Sequence, residues 1–190
     1  MSSRLCMDSK AGEVLRRIEE KTGRRYLPII GPERGRILVD LIRRFKPKRI
    51  LEVGTFIGYS TILMGKELGD GSEIITIEID EEEAEQAREN IREAAIKPKT
   101  KVLTGDALKV IPWLEGRFDM VFLDAAKSQY LDYLRLVEDK LHRGSVVVAD
   151  NAGFASYSMR NYLDYVRNSG RYESQFISTK WDGIEVSIKL

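Results

Sequence analysis

Apolar positions follow two rhythms along the chain. Over residues 10–22, Ala11, Val14, Leu15 and Ile18 recur at helical spacing, which predicts an amphipathic helix closed by Gly23. Gly31-Pro32 opens a second helix that runs to about residue 45, with Ile37, Leu38, Leu41 and Ile42 inward, and Pro47 stops it. Short continuous apolar runs then alternate with helical patterns. Strands are predicted at 49–53, 73–79, 101–104, 118–123 and 145–149. Helices are predicted between them at 57–68, 80–95, 106–114 and 128–142, followed by another at 156–169. Two last strands, 172–179 and 184–189, meet through a Trp-Asp-Gly turn.

Strands alternating with helices predict an α/β fold with a parallel sheet covered on both faces. The expected architecture is a doubly wound, Rossmann-like sheet of seven strands. It is mostly parallel with an antiparallel C-terminal strand, and two N-terminal helices are added. No repeat or linker interrupts the chain. Residues 1–190 therefore read as one domain, with 1–47 a helical extension and 48–190 the core.

Composition narrows the class. With 43% hydrophobic and 32% charged residues, and no apolar run near the ~20 needed to span a bilayer, a membrane role is not expected. Cys6 is the only cysteine, which excludes an intrachain disulfide and a cysteine-based zinc site and points to the cytoplasm. Charge is uneven: residues 1–49 hold 14 Lys/Arg against 6 Asp/Glu, and the remainder 17 against 24. The basic segment suits an anionic partner such as RNA or, more simply, the solvated faces of helices without interleaved stacking aromatics. His142 is the only histidine and lies in a polar turn, which argues against hydrolysis by a Ser-His-Asp set. Trp113, beside Pro112, reads as a packing residue.

Ligands of such sheets bind beyond the carboxyl ends of the strands, and here those ends are acidic. The first strand runs into Glu52, Gly54 and Gly58, then straight into a helix. This G-x-x-x-G spacing lacks the middle glycine that lets a backbone approach a pyrophosphate. A nucleoside cofactor without a diphosphate, S-adenosylmethionine above all, fits better than NAD. An NAD-dependent oxidoreductase is the rival from another class. Glu78, ending the second strand, suits ribose hydroxyls. Asp106 reads equally as a helix N-cap or as a group facing adenine. Asp124, Asp150 and Asn151 form a hard oxygen set suited to Mg²⁺ or another divalent cation. Lys127 lies three residues beyond Asp124; a lysine beside a cation gives up its proton readily and is a candidate general base.

The runs Leu-Glu-Val-Gly-Thr-Phe-Ile-Gly-Tyr-Ser, Ile-Thr-Ile-Glu, Asp-Met-Val-Phe-Leu-Asp-Ala-Ala-Lys, Ala-Asp-Asn and Asp-Gly-Ile-Glu together resemble the metal-dependent, catechol O-methyltransferase-like family of class I S-adenosylmethionine-dependent methyltransferases. The resemblance covers nearly the whole chain. It implies that Ile30, Glu52, Gly54, Phe56, Gly58, Tyr59 and Ser60 serve the cofactor around its methionine end. It further implies Glu78 and Ile79 at the ribose, Gly105, Asp106 and Ala107 at the adenine, and Asp124 at the cofactor as well as the metal. Asp124, Asp150 and Asn151 become the Mg²⁺ ligands, Lys127 the catalytic base, and Tyr26, Lys127, Asn151 and Glu185 the substrate contacts, with Glu185 accepting from the substrate's second hydroxyl. The sequence departs from the family where Ala126 replaces a bulky gatekeeper and Phe154-Ala155 a gating proline. The implied reaction is methylation of one hydroxyl of a vicinal, catechol-like small molecule. A tRNA wobble-hydroxyuridine methyltransferase is the alternative, motivated by the basic segment. A homodimer is compatible with the apolar loop at 27–30.

Overall fold

A computed structural model describes residues 9–22 and 27–190; the expectations on Gly23 and Tyr26 fall outside them. Among the described residues, seven strands form one sheet in the order β3-β2-β1-β4-β5-β7-β6. These are β1 (Arg49–Val53), β2 (Glu73–Glu78), β3 (Lys99–Thr104), β4 (Phe118–Leu123), β5 (Leu141–Ala149), β6 (Tyr172–Ser178) and β7 (Gly183–Lys189). Strands β1 to β5 are parallel, and β7 runs antiparallel between β5 and β6.

The helices are α1 (Lys10–Thr22), α2 (Gly31–Phe45), α3 (Tyr59–Gly65), α4 (Glu81–Ala94), α5 (Ala107–Val110), α6 (Tyr130–Val137) and α7 (Arg160–Asn168). Successive strand residues face opposite layers, so each strand feeds both cores. Ile50, Met120 and Val148 pack with Ile18, Leu38 and Ile62 under α1, α2 and α3. Leu51, Val121 and Ala149 pack with Leu134, Tyr162 and Val166 under α6 and α7. Burial on both sides explains why the central strands read as continuous apolar runs rather than alternating ones. No helix among the described residues is long and apolar enough to cross a membrane.

Three expectations need correction. The helix expected at 128–142 ends at Val137; one 3₁₀ turn follows, and Leu141 already pairs with Phe118. His142 thus belongs to the irregular start of β5, where its Nε2 lies 2.9 Å from Asp119 Oδ1. The helix expected from 156 begins only at Arg160, because Asn151 takes φ +60° and Asp182 ties down the turns after it. Trp113 is 85% exposed rather than packed.

Candidate active site

The carboxyl ends of β1, β2, β4 and β5 open into a cavity of about 550 Å³. One wall begins at the turn from β1 into α3. Gly54 has φ +97°, and a Cβ there would lie 2.3 Å from the Asp124 carbonyl oxygen, so only glycine lets the ends of β1 and β4 abut. Glu78, nearly buried, fixes the turn: it accepts from Phe56 N at 2.7 Å and from Ile79 N and Asp80 N at 2.8 and 3.1 Å. An ionised carboxylate has about four acceptor sites, so Glu78 keeps capacity for a ligand hydroxyl. Ile30, Gly54, Phe56, Tyr59, Ser60, Glu78, Ile79, Gly105, Asp106 and Ala107 all line the cavity. Asp106 is at the same time the N-cap of α5, accepting from Leu108 N at 2.9 Å, so both readings of it hold in part.

Two residues expected to touch the cofactor stand behind this wall instead. Glu52 is fully buried and takes the Ser60 and Thr61 hydroxyls on its two oxygens. It supports Ser60 rather than meeting a ligand. Burial pushes its carboxyl up to about 7, against the lowering effect of those hydroxyls. Gly58 caps α3 at φ +83° and packs against Ala87 of α4.

The opposite wall is charged. Lys127 Nζ donates to Asp124 Oδ1 at 2.7 Å and to the Tyr130 hydroxyl at 2.8 Å, which in turn donates to Leu123 O. The lysine is therefore held from two sides. Asp150, at the end of β5, is 1% exposed, and among the described residues neither of its oxygens accepts a hydrogen bond. Arg34, in the first turn of α2, brings Nε to 2.8 Å from Asp150 Oδ1, but that nitrogen makes no hydrogen bond. The contact is a charge pairing without alignment. Burial, then the neighbouring Asp124 charge, raises the Asp150 carboxyl; burial raises Asp124, opposed by Lys127.

The sequence reading overlooked Arg34 and Asp182. Asp182 Oδ2 accepts from Asn151 Nδ2 at 2.7 Å and Arg34 Nη1 at 2.9 Å, while Oδ1 accepts from Gly153 N and Phe154 N. Burial alone would raise its carboxyl. The Phe154 N–H, the Asn151 amide, the Gly183 N–H and Arg34 together hold it below the usual range. Strand direction is the signal that points to it: a residue just before antiparallel β7 lies at the carboxyl edge of parallel β5.

Glu185, the expected substrate contact, is not in this site. It pairs with Ala149 across the sheet and faces the α7 layer, fully buried. Arg167 holds it through two contacts of 2.8 and 2.6 Å, and Ser174 through a third. Alternation sends Asp150 to the opposite layer, beside α2.

Among the described residues no group of three or more His, Cys, Asp and Glu could hold a metal. A cation here would rely on two carboxylates and one amide oxygen. That set is hard, and the unbonded oxygens of buried Asp150 fit it. Asn151 engages its Nδ2, which leaves its amide oxygen to offer.

A family model described as O-methyltransferase matches residues 6–164. The chain belongs to the O-methyltransferase family. Catechol O-methyltransferase B of Danio rerio is 34% identical over 174 residues, covering 85% of this chain and 65% of that protein. The chain spans less than two thirds of the length of the curated relatives it matches first. Among solved structures, the O-methyltransferase of Streptomyces achromogenes involved in tomaymycin synthesis, in complex with SAM, superposes with TM-score 0.83 at 27% identity, covering 93% of this chain and 89% of that one. The Bacillus cereus O-methyltransferase in complex with SAH gives 0.82 at 26% identity, with 96% and 91% covered.

Proposed function

We propose that this O-methyltransferase moves the methyl group of S-adenosylmethionine to one oxygen of a vicinal, catechol-like diol, with Mg²⁺ or another divalent cation held by Asp124, Asp150 and Asn151. The observation that carries the reading is the meeting of two unlike walls in one cavity. One offers Glu78, Asp106 and the Gly54–Ser60 turn, the other Lys127 beside a set of hard oxygens. The names of the Danio rerio relative and of the SAM-bound Streptomyces structure support it.

S-adenosylmethionine supplies a methyl group already activated on a sulfonium sulfur. The cation, when bound, supplies charge that acidifies and orients a substrate hydroxyl. The chain itself contributes placement and proton handling. Glu78 takes the ribose hydroxyls on its spare acceptor sites, and Asp106 and Ala107 flank the base. Ser60, backed by Glu52, meets the methionine end. Lys127 takes the hydroxyl proton as the oxygen–methyl bond forms and the sulfur–methyl bond breaks. Tyr130 accepts a Lys127 hydrogen bond and so fixes where that proton lands. Proximity is the main contribution, because the leaving group needs no help.

A screen of catechols, flavonoids and hydroxyuridine tRNA for methyl transfer, with Mg²⁺ and with chelator, tests the reading. Expected is methylation of at least one catechol that chelator abolishes and added Mg²⁺ restores. Methylation of the tRNA but of no catechol would replace the substrate class; no transfer to any acceptor would overturn the activity.

A further inference from the structure

Arg34 makes two contacts of different quality. Its Nη1 forms an aligned hydrogen bond to Asp182 Oδ2 at 2.9 Å, whereas its Nε approaches Asp150 Oδ1 at 2.8 Å without one. The Arg34 side chain is 19% exposed and Asp150 is 1% exposed, so the pairing is screened only in part. Asp182 does not depend on Arg34: the Asn151 amide and two backbone N–H groups hold it as well. Asp150 is held less well: among the described residues neither of its oxygens has an aligned hydrogen-bond partner, and the neighbouring Asn151 N–H is a minor stabiliser of its charge.

We propose that Arg34 is a built-in competitor for the divalent cation: guanidinium and cation claim the same Asp150 carboxylate, and cation binding releases Arg34 from Asp150 while Asp182 retains it. This inference rests on the cation reading of Asp124, Asp150 and Asn151. A guanidinium does not shed its proton in a protein, so Arg34 cannot make room by losing its charge. Two cations on one buried carboxylate repel each other several times more strongly than in water, so each weakens the other's hold on Asp150. Movement is the remaining way out. Asp182 provides the pivot, and the unaligned Nε contact is the weaker of the two to give up. The consequence is that cation affinity is set partly by a residue that is not a ligand.

The test needs no methyl donor. Chelator-treated wild type, Arg34→Met and Arg34→Lys are titrated with Mn²⁺ by calorimetry, and free Mn²⁺ is followed by electron paramagnetic resonance. Expected is binding about tenfold or more tighter in Arg34→Met, with Arg34→Lys between the two. Without cation, Arg34→Met melts below wild type, and saturating Mn²⁺ closes the gap by linkage. Equal or weaker Mn²⁺ binding in both variants, with binding abolished in Asp150→Asn, overturns the competition and leaves the cation reading standing. No binding by wild type or either variant overturns both. If Arg34→Met does not fold, Arg34→Lys decides: affinity equal to wild type overturns the inference.

Discussion

The wall built from β1, β2 and the start of α3 and the wall built from β4, β5 and the Asp182 turn hold their carboxylates in opposite ways. On the first wall three carboxylates find partners within the fold: Glu78 three backbone N–H groups, Glu52 two hydroxyls, Asp106 its own helix. On the second, Asp124 shares a lysine, and among the described residues Asp150 has an unaligned guanidinium and no aligned hydrogen bond. A buried polar group without a partner costs free energy, so the second wall is stable only because the fold around it compensates. The first wall is a finished cradle. The second keeps its charge in a form that a ligand can complete, which is what a reacting centre requires and a recognition surface does not.

The comparison breaks most visibly at Lys127. Replacing it by Ala removes the proposed base and Asp124's partner, and kcat on a catechol accepted by wild type is expected to fall on the order of 10²–10⁴-fold. Steady-state kinetics with Mg²⁺ measures this. A drop of less than about tenfold would reduce Lys127 to a counter-charge. Next in size is Gly54, where the walls touch. A Cβ would lie 2.3 Å from the Asp124 carbonyl at φ +97°, so Gly54→Ala is expected to cost about 3 kcal/mol or more in urea unfolding. A loss under about 1 kcal/mol would mean that the two walls are not rigidly joined.

The unevenness between the walls also explains what could be read from sequence. The first wall starts locally: strand β1, the glycine turn and the start of α3 lie within residues 49–65, and their spacing announces the geometry. Asp124, Lys127, Asp150 and Asn151 were legible because strand ends carry ligand groups in such sheets. Arg34 and Asp182 were not, since they reach the site over 116 and 32 residues of chain from Asp150 and neither closes a parallel strand. Glu185 was misplaced because a motif match takes no account of which face of an antiparallel strand a residue occupies. Alternation against Ala149 decides that face. Glu52 was misread for a related reason. Its strand-end position is right, but burial turns it into a support for Ser60.

Glu52 offers a quantitative test of the finished wall. Its folded carboxyl, raised by burial from 4.5 to about 7, binds its proton more tightly than in the unfolded chain. The resulting stability is fully present below about pH 4.5 and is lost as pH rises through about 7. The loss is on the order of 3 kcal/mol. Glu52→Gln keeps the hydrogen-bonding shape without the charge, so its stability relative to wild type should increase between about pH 5 and about pH 8. Parallel denaturation curves for the two proteins across that range would show that Ser60 and Thr61 satisfy Glu52 fully in its ionised form.

The smallest effect is expected at the far end of the sheet, where a charged pair stands apart from the residues lining the candidate site. His142 Nδ1 lies 2.8 Å from the Arg143 carbonyl and Nε2 2.9 Å from Asp119 Oδ1, so both ring nitrogens face acceptors and the imidazolium is favoured. The carbonyl contact first, then Asp119, raises the His142 pKa, and Asp119 is correspondingly lowered. The sign follows: the contribution is complete below the ordinary value of 6.5 and disappears as pH rises through the raised one. Solvent exposure of 38% limits it to about 1 kcal/mol at most. His142→Gln should therefore unfold earlier than wild type at about pH 6, match it at about pH 9, and narrow the difference in high salt. Its methyl-transfer rate should be unchanged. A satisfied surface pair then tunes stability alone, and a large kcat loss in His142→Gln would show that the two ends of the sheet are coupled.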